Sequence, residues 1–100
     1  MDAVSKPPKG HFMVLYFASA SSFTAKEYDT FLAPLPITKL FDALEEKHNG
    51  MKDKILSSCL VTVNLNYVDV PKSEGEEGSE SSFVIQEGDE VAIIPPVSSG

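Results

Sequence analysis

The sequence predicts an α+β fold in which a mixed β-sheet grasps one main helix. Three observations predict it. The runs His11 to Ala18 and Glu90 to Ile94 are the most apolar stretches of the chain, so both belong near the middle of a sheet. Between them lies one clear helical stripe, Ile37, Leu40, Phe41 and Leu44, at i, i+3, i+4 and i+7. Two strands separated by a crossover containing that helix are naturally parallel, whereas the shorter β runs can pair locally.

The elements follow in order. Residues 1–10, with Pro7, Pro8 and Gly10, read as a flexible lead-in to a domain spanning 11–94. His11 to Ala18 is nearly continuously apolar and predicts a strand covered on both faces. Phe12, Val14 and Tyr16 share one face, and Met13, Leu15 and Phe17 the other. A domain this small has one main core, so the second face is expected to meet a short element or a partner. Ser21 to Glu27 suits a single helical turn and Tyr28 to Leu32 a short strand, after which Pro34 and Pro36 break the chain.

The helix comes next. Lys47 and His48 fall in its last turn, where positive charge is favourable, and Asn49-Gly50 tolerates a left-handed C-terminal conformation. Leu60 to Val70 reads as two short β runs turning at Asn64-Leu65-Asn66. Pro71 to Ser82 is poor in hydrophobes and carries Glu74, Glu76, Glu77 and Glu80, the composition of a mobile acidic loop. Gln86 to Asp89 is a turn, Glu90 to Ile94 the final strand, and 95–100 an extended tail. This is a ubiquitin-like β-grasp arrangement.

Composition narrows the function. One hundred residues form one small domain that buries about 60 to 70 per cent of its unfolded surface, and 42% hydrophobic with 23% charged residues is an ordinary globular balance. The net charge of -7 comes from fifteen acids against eight lysines, without arginine. Nucleic acid is thereby disfavoured, since its phosphates need clustered basic groups. The acidity suits a partner with a basic docking face, and equally serves solubility. Cys59 is the only cysteine, so no internal disulfide forms. With no apolar signal core in 1–10 and no run approaching the roughly 20 residues of a membrane span, a cytosolic protein is expected.

Cys59 beside a strand reads as a small hydrophobe rather than a persulfide carrier. His11 and His48 lack metal-ligand spacing with it, the acidic loop lacks the ordered ligands of a calcium loop, and no metal site is assigned. No Ser/His/Asp grouping is readable.

The C-terminus offers more. Pro95 and Pro96 fix φ and favour an extended path through Val97, Ser98 and Ser99 to Gly100. Glycine has no side chain, so its terminal carboxylate can enter a channel too narrow for any other residue. Activation of that carboxylate is the natural chemical use, against the alternative of a frayed end without function.

Met13-Val14-Leu15-Tyr16-Phe17-Ala18, Val63-Asn64 followed by Tyr67-Val68, and above all Glu87-Gly88-Asp89-Glu90-Val91-Ala92-Ile93-Ile94-Pro95-Pro96-Val97 resemble the MoaD family of ubiquitin-like sulfur carriers. The Gly-Asp-Glu-Val turn is common to many such carriers, whereas Ile-Ile-Pro-Pro-Val is more specific to the molybdopterin branch. The resemblance implies a sulfur-donor subunit of molybdopterin synthase rather than a complete enzyme. An adenylating enzyme of the ubiquitin-activating type would couple Gly100 to AMP, and sulfur transfer would convert it to a thiocarboxylate. The tail would then enter the large catalytic subunit, in a heterotetramer, and donate sulfur to cyclic pyranopterin monophosphate. ATP and Mg would belong to the activating enzyme, since this chain has no glycine-rich phosphate loop and holds no permanent cofactor. Phe17 and Ile94 would contribute a docking surface. The family usually ends in Gly-Gly where this chain has Ser99-Gly100, and its connection corresponding to 71–82 is shorter. The rival reading is a ubiquitin-related modifier, or a carrier serving tRNA thiolation or protein conjugation; Pro95-Pro96 favours the first.

Overall fold

The computed structural model describes residues 7–68 and 83–96. Strand β1 (His11–Tyr16) leads through a short helix α1 (Ser19–Thr24) to β2 (Tyr28–Leu32) and a two-residue strand β3 (Leu35–Pro36). A 3-10 turn at Ile37–Lys39 runs into helix α2 (Leu40–Lys47), which is followed by one turn of helix α3 (Met51–Lys54) and a 3-10 turn at Leu56–Ser58. The chain then forms β4 (Leu60–Val63), β5 (Asn66–Val68), β6 (Val84–Ile85) and β7 (Glu90–Ile94).

Five strands make the main sheet in the order β2-β1-β7-β4-β5, and β3 pairs with β6 in a separate small ladder. β1 and β7 are parallel, with Met13 opposite Glu90 and Tyr16 opposite Ile93; the other pairs are antiparallel. The two most apolar strands therefore lie inside the sheet, β7 at its centre. This α+β mixed sheet over α2 matches the expected β-grasp arrangement.

The core follows from the period-2 alternation of the strands. Phe12, Val14 and Tyr16 of β1, Val61 and Val63 of β4, and Val91 and Ile93 of β7 point to one face. There they meet Ile37, Leu40, Phe41 and Leu44, the stripe expected of the helix, with Met51, Ile55, Leu56 and Ile85 completing the packing. Pro36 precedes this stripe with extended backbone, so the first turn is 3-10 and the α-helix begins at Leu40.

Several expectations are adjusted. The helical turn expected at Ser21 to Glu27 lies at Ser19–Thr24, because Ala25 adopts a left-handed φ of 60° and ends it. The left-handed residue after α2 is Gly50, at φ 92°, and it starts α3 rather than ending α2. His48 does not merely sit against the helix dipole; its Nε2 lies 2.8 Å from an oxygen of Asp29. The turn between β4 and β5 is centred on Asn64 and Leu65, both at positive φ, and Asn66 already belongs to β5. β1 is covered on its core face, and on the other face Met13 is buried and Leu15 half-buried, whereas Phe17, just beyond the strand, is 45% exposed. The acidic segment 71–82 and residues 1–6 lie outside the described residues.

Asp29, only 4% exposed, ties β1, β2 and α2 together. It accepts from the Tyr16 hydroxyl at 2.8 Å and from Lys26 Nζ at 2.8 Å, beside His48. Burial pushes the Asp29 carboxyl up, but hydrogen bonds from Lys26, His48 and Tyr16 outweigh it and hold the carboxyl below its ordinary value. The Tyr16 phenol is driven well above its ordinary value by burial, with the hydrogen bond to Asp29 and its negative charge adding to the effect.

Candidate docking face

Alternation that sends valines and isoleucines to the core sends another set of residues to the opposite face of the same sheet. The register places Tyr28, Leu15, Ala92, Thr62 and Tyr67 in one row across all five strands. A second row sets Leu60 against Ile94, and Phe17 lies alongside, its amide donating to the Ile93 carbonyl at 3.2 Å. The helices contribute their buried residues to the other face.

This face is not flat. Ala92 and Thr62, the small residues of the first row on the neighbouring strands β7 and β4, are 8% and 6% exposed and form a floor. Larger side chains stand around it: Phe17 and Ile94 at one end, Tyr67 along one side, Leu65 and Glu90 at the other end. The resulting concavity has a volume of about 240 Å³. Leu60, Tyr67 and Leu65 are 55%, 71% and 86% exposed, so the rim presents apolar surface to solvent. Contiguous exposed apolar surface of this kind marks an interaction site.

The turn that carries Leu65 is held firmly. Asn64 Nδ2 donates to Asp89 Oδ1 at 3.0 Å, and Asn64 Oδ1 accepts from the Glu90 amide at 3.0 Å. The Asn64 amide also donates to the Glu90 carbonyl at 2.8 Å. Asp89 in turn accepts from the Gln86 amide at 2.8 Å. Positive φ at both central residues is the two-residue hairpin geometry whose second position favours glycine. Leucine occupies it here, at φ 74°, a conformation that costs a non-glycine residue about 1–3 kcal/mol.

Glu90 is the only charged side chain in the concavity among the described residues. Among the described residues no group of three or more His, Cys, Asp or Glu could hold a metal. Strand β7, which supplies Glu90, Ala92 and Ile94, runs directly into Pro95 and Pro96. Pro95 is buried and Pro96 exposed, and neither can donate to the ladder, so pairing ends there. Val97, Ser98, Ser99 and Gly100 lie outside the described residues.

Of the docking residues expected from the sequence, Phe17 and Ile94 thus share one end of the concavity. Leu15 lies on the non-core face that alternation in β1 sets aside for a partner, whereas Leu60, Leu65, Tyr67 and Tyr28 were not anticipated on this surface. Alternation along Leu60 to Val63 carried the signal for Leu60, but only the register shows which residues share a row. Cys59 is half-buried against the core, with Sγ 3.7 Å from the Leu56 carbonyl. Among the described residues no helix is long and apolar enough to cross a membrane.

Comparison with known proteins supplies the context. Residues 14–100 match the ThiS family. The molybdopterin synthase sulfur carrier subunit of Phaeosphaeria nodorum is 54% identical over 98 residues, covering 98% of this chain and 99% of that one. Among solved structures, small archaeal modifier protein 1 of Haloferax volcanii superposes with a TM-score of 0.67 at 16% identity, over 88% of this chain and 99% of that one. Subunit 1 in the complex of subunits 1 and 2 of molybdopterin-converting factor from Helicobacter pylori gives 0.59 at 20% identity, over 90% and 99%. At such identities these two structures speak for the fold.

Proposed function

The chain belongs to the ThiS family and, within it, to the molybdopterin synthase sulfur carrier subunits, and from that premise we propose that its Gly100 carboxylate carries sulfur for molybdenum cofactor synthesis. A carboxylate is a poor electrophile, so exchange of its oxygen needs activation. A Gly100 oxygen attacks the α-phosphorus of ATP on an activating enzyme, pyrophosphate leaves, and an acyl adenylate results. A sulfur nucleophile from the sulfurating enzyme then attacks the carbonyl carbon and AMP departs. That nucleophile is a persulfide, so an acyl disulfide forms; a second thiol of the sulfurating enzyme attacks the donor's own sulfur, an enzyme disulfide results, and the thiocarboxylate is left on Gly100. Within the large subunit the thiocarboxylate sulfur passes to cyclic pyranopterin monophosphate, and two such donations build the dithiolene.

One observation carries this reading: the strand at the centre of the apolar face is also the strand that delivers the terminus. A partner seated on Phe17, Ile94 and Tyr67 therefore receives the Pro95-Pro96 segment from a fixed direction, and the prolines limit the entropy lost on threading the tail. The reaction runs in the cytosol, and the catalytic groups belong to the large subunit.

The test is mass spectrometry of the chain after incubation with an activating enzyme, Mg-ATP and a sulfur donor, followed by addition of the large subunit and cyclic pyranopterin monophosphate. A mass gain of one oxygen-to-sulfur exchange at Gly100, lost again as molybdopterin appears, is expected. Conjugation of Gly100 to lysines without molybdopterin formation would instead support the modifier reading.

A further inference from the structure

Leu65 is out of place by every rule that governs the folded chain alone. It holds the left-handed backbone that glycine or asparagine adopts without strain, at φ 74°, and it is 86% exposed, so burial within the chain returns little. Yet its turn is not loose. The paired hydrogen bonds of Asn64 to Asp89 and Glu90 fix the turn against the start of β7. A strained backbone, an unburied apolar side chain and a rigid mount together fix where that side chain stands before anything binds.

We infer that Leu65 is a preorganised anchor that inserts into an apolar depression of the synthase's large subunit, with Asn64 as its positioning residue; this rests on the docking reading above. Continuity supports that occupant. Leu65 closes the end of the concavity opposite Phe17 and Ile94, so the partner that receives the tail from β7 reaches Leu65 along the same face. Glu90 at its foot calls for a basic group beside the depression. The anchor's value lies outside the folded chain, where burial of a leucine on a rigid turn gains apolar contact with little ordering cost.

The test measures association of the full chain with the large subunit of the Phaeosphaeria nodorum synthase by calorimetry, alongside thermal unfolding of the carrier. Leu65→Gly and Leu65→Asn, both suited to positive φ, should weaken association about tenfold or more while leaving the unfolding midpoint unchanged or higher. Leu65→Met should restore most of the affinity. A midpoint lowered by Leu65→Gly would show that the side chain serves the fold, and would overturn the assignment. So would wild-type affinity in both the Leu65→Gly and Leu65→Asn variants when Phe17→Asp abolishes binding, an outcome that leaves the docking reading standing. Failure of the unaltered chain to associate at all would overturn the docking reading and the anchor with it.

Discussion

Asp29 shows how much one side chain can organise. Its carboxylate joins Tyr16, thirteen residues before it, and His48, nineteen after it, so no local pattern announces the group. The sequence offers Asp29 only as a polar residue in a short strand with aromatic positions, and the position of His48 suggests a helix-dipole role instead. Tyr16→Phe keeps the packing but removes one hydrogen bond, and should cost about 1 kcal/mol in urea unfolding. Asp29→Ala leaves the buried Tyr16 hydroxyl without its acceptor and should cost about 2–3 kcal/mol. The carboxyl is held below its ordinary value in the folded chain, so its contribution is present above the unfolded carboxylate pKa and is lost as pH falls through the folded one. The acid limb of a stability-against-pH curve should accordingly flatten in Asp29→Asn. An unchanged acid limb would mean that other carboxylates govern it. Tyr16 acts at the opposite extreme: its raised pKa contributes below the unfolded phenol value and loses that contribution as pH rises beyond it.

Among the elements, length decides what the sequence reveals. Helix α2 is legible because Ile37, Leu40, Phe41 and Leu44 repeat over two turns, and all four are buried as that stripe requires. β1 and β7 are legible because their apolar runs are long enough to be central. β3 and β6 have two residues each and α3 has four, too few to repeat a period, so Leu35, Ile85 and Met51 carried no readable pattern. Their order comes from tertiary contacts instead. For α3 that contact is Glu45, which accepts from the backbone amides of Gly50 at 2.9 Å and Lys52 at 2.8 Å. Those amides hold the Glu45 carboxyl below its ordinary value. Glu45→Ala should speed hydrogen exchange at Gly50 and Lys52 selectively while β1 and β7 stay protected; uniform acceleration would point to global destabilisation instead. In α2 itself, Leu44 is fully buried, and Leu44→Ala should cost about 2–5 kcal/mol in the same urea experiment.

At the scale of the whole molecule, stability and function are separated by the two faces of one sheet. The docking face was half legible: alternation in β1 sets Leu15 and Phe17 apart from the core and requires something to meet them. The row linking Tyr28 to Tyr67 was not legible, because cross-strand register depends on pairings distant in sequence. Phe17→Asp should therefore abolish association with the large subunit while circular dichroism and the unfolding midpoint remain near those of the unaltered chain; a collapsed midpoint would place Phe17 in the structural core. In the proposed sulfur transfer, Ser99 adjoins the Gly100 carboxylate. Its side chain restricts backbone conformations next to the reacting carboxylate, so Ser99→Gly should raise the rate of adenylation or sulfur transfer without changing the midpoint. Equal rates in one reconstituted system would show that the partner enzymes accept serine there.

The central place of β7 also bears on how the protein is made. Without it the main sheet falls into two unconnected hairpins, β2 with β1 and β4 with β5, neither sufficient by itself. β7 follows all four of the strands it unites, so the main sheet cannot close until synthesis has passed it. Closure of the sheet thus waits on the strand that runs into Pro95 and Pro96. A chain terminated before β7 lacks the sheet's keystone and should be far more sensitive to protease than the full chain.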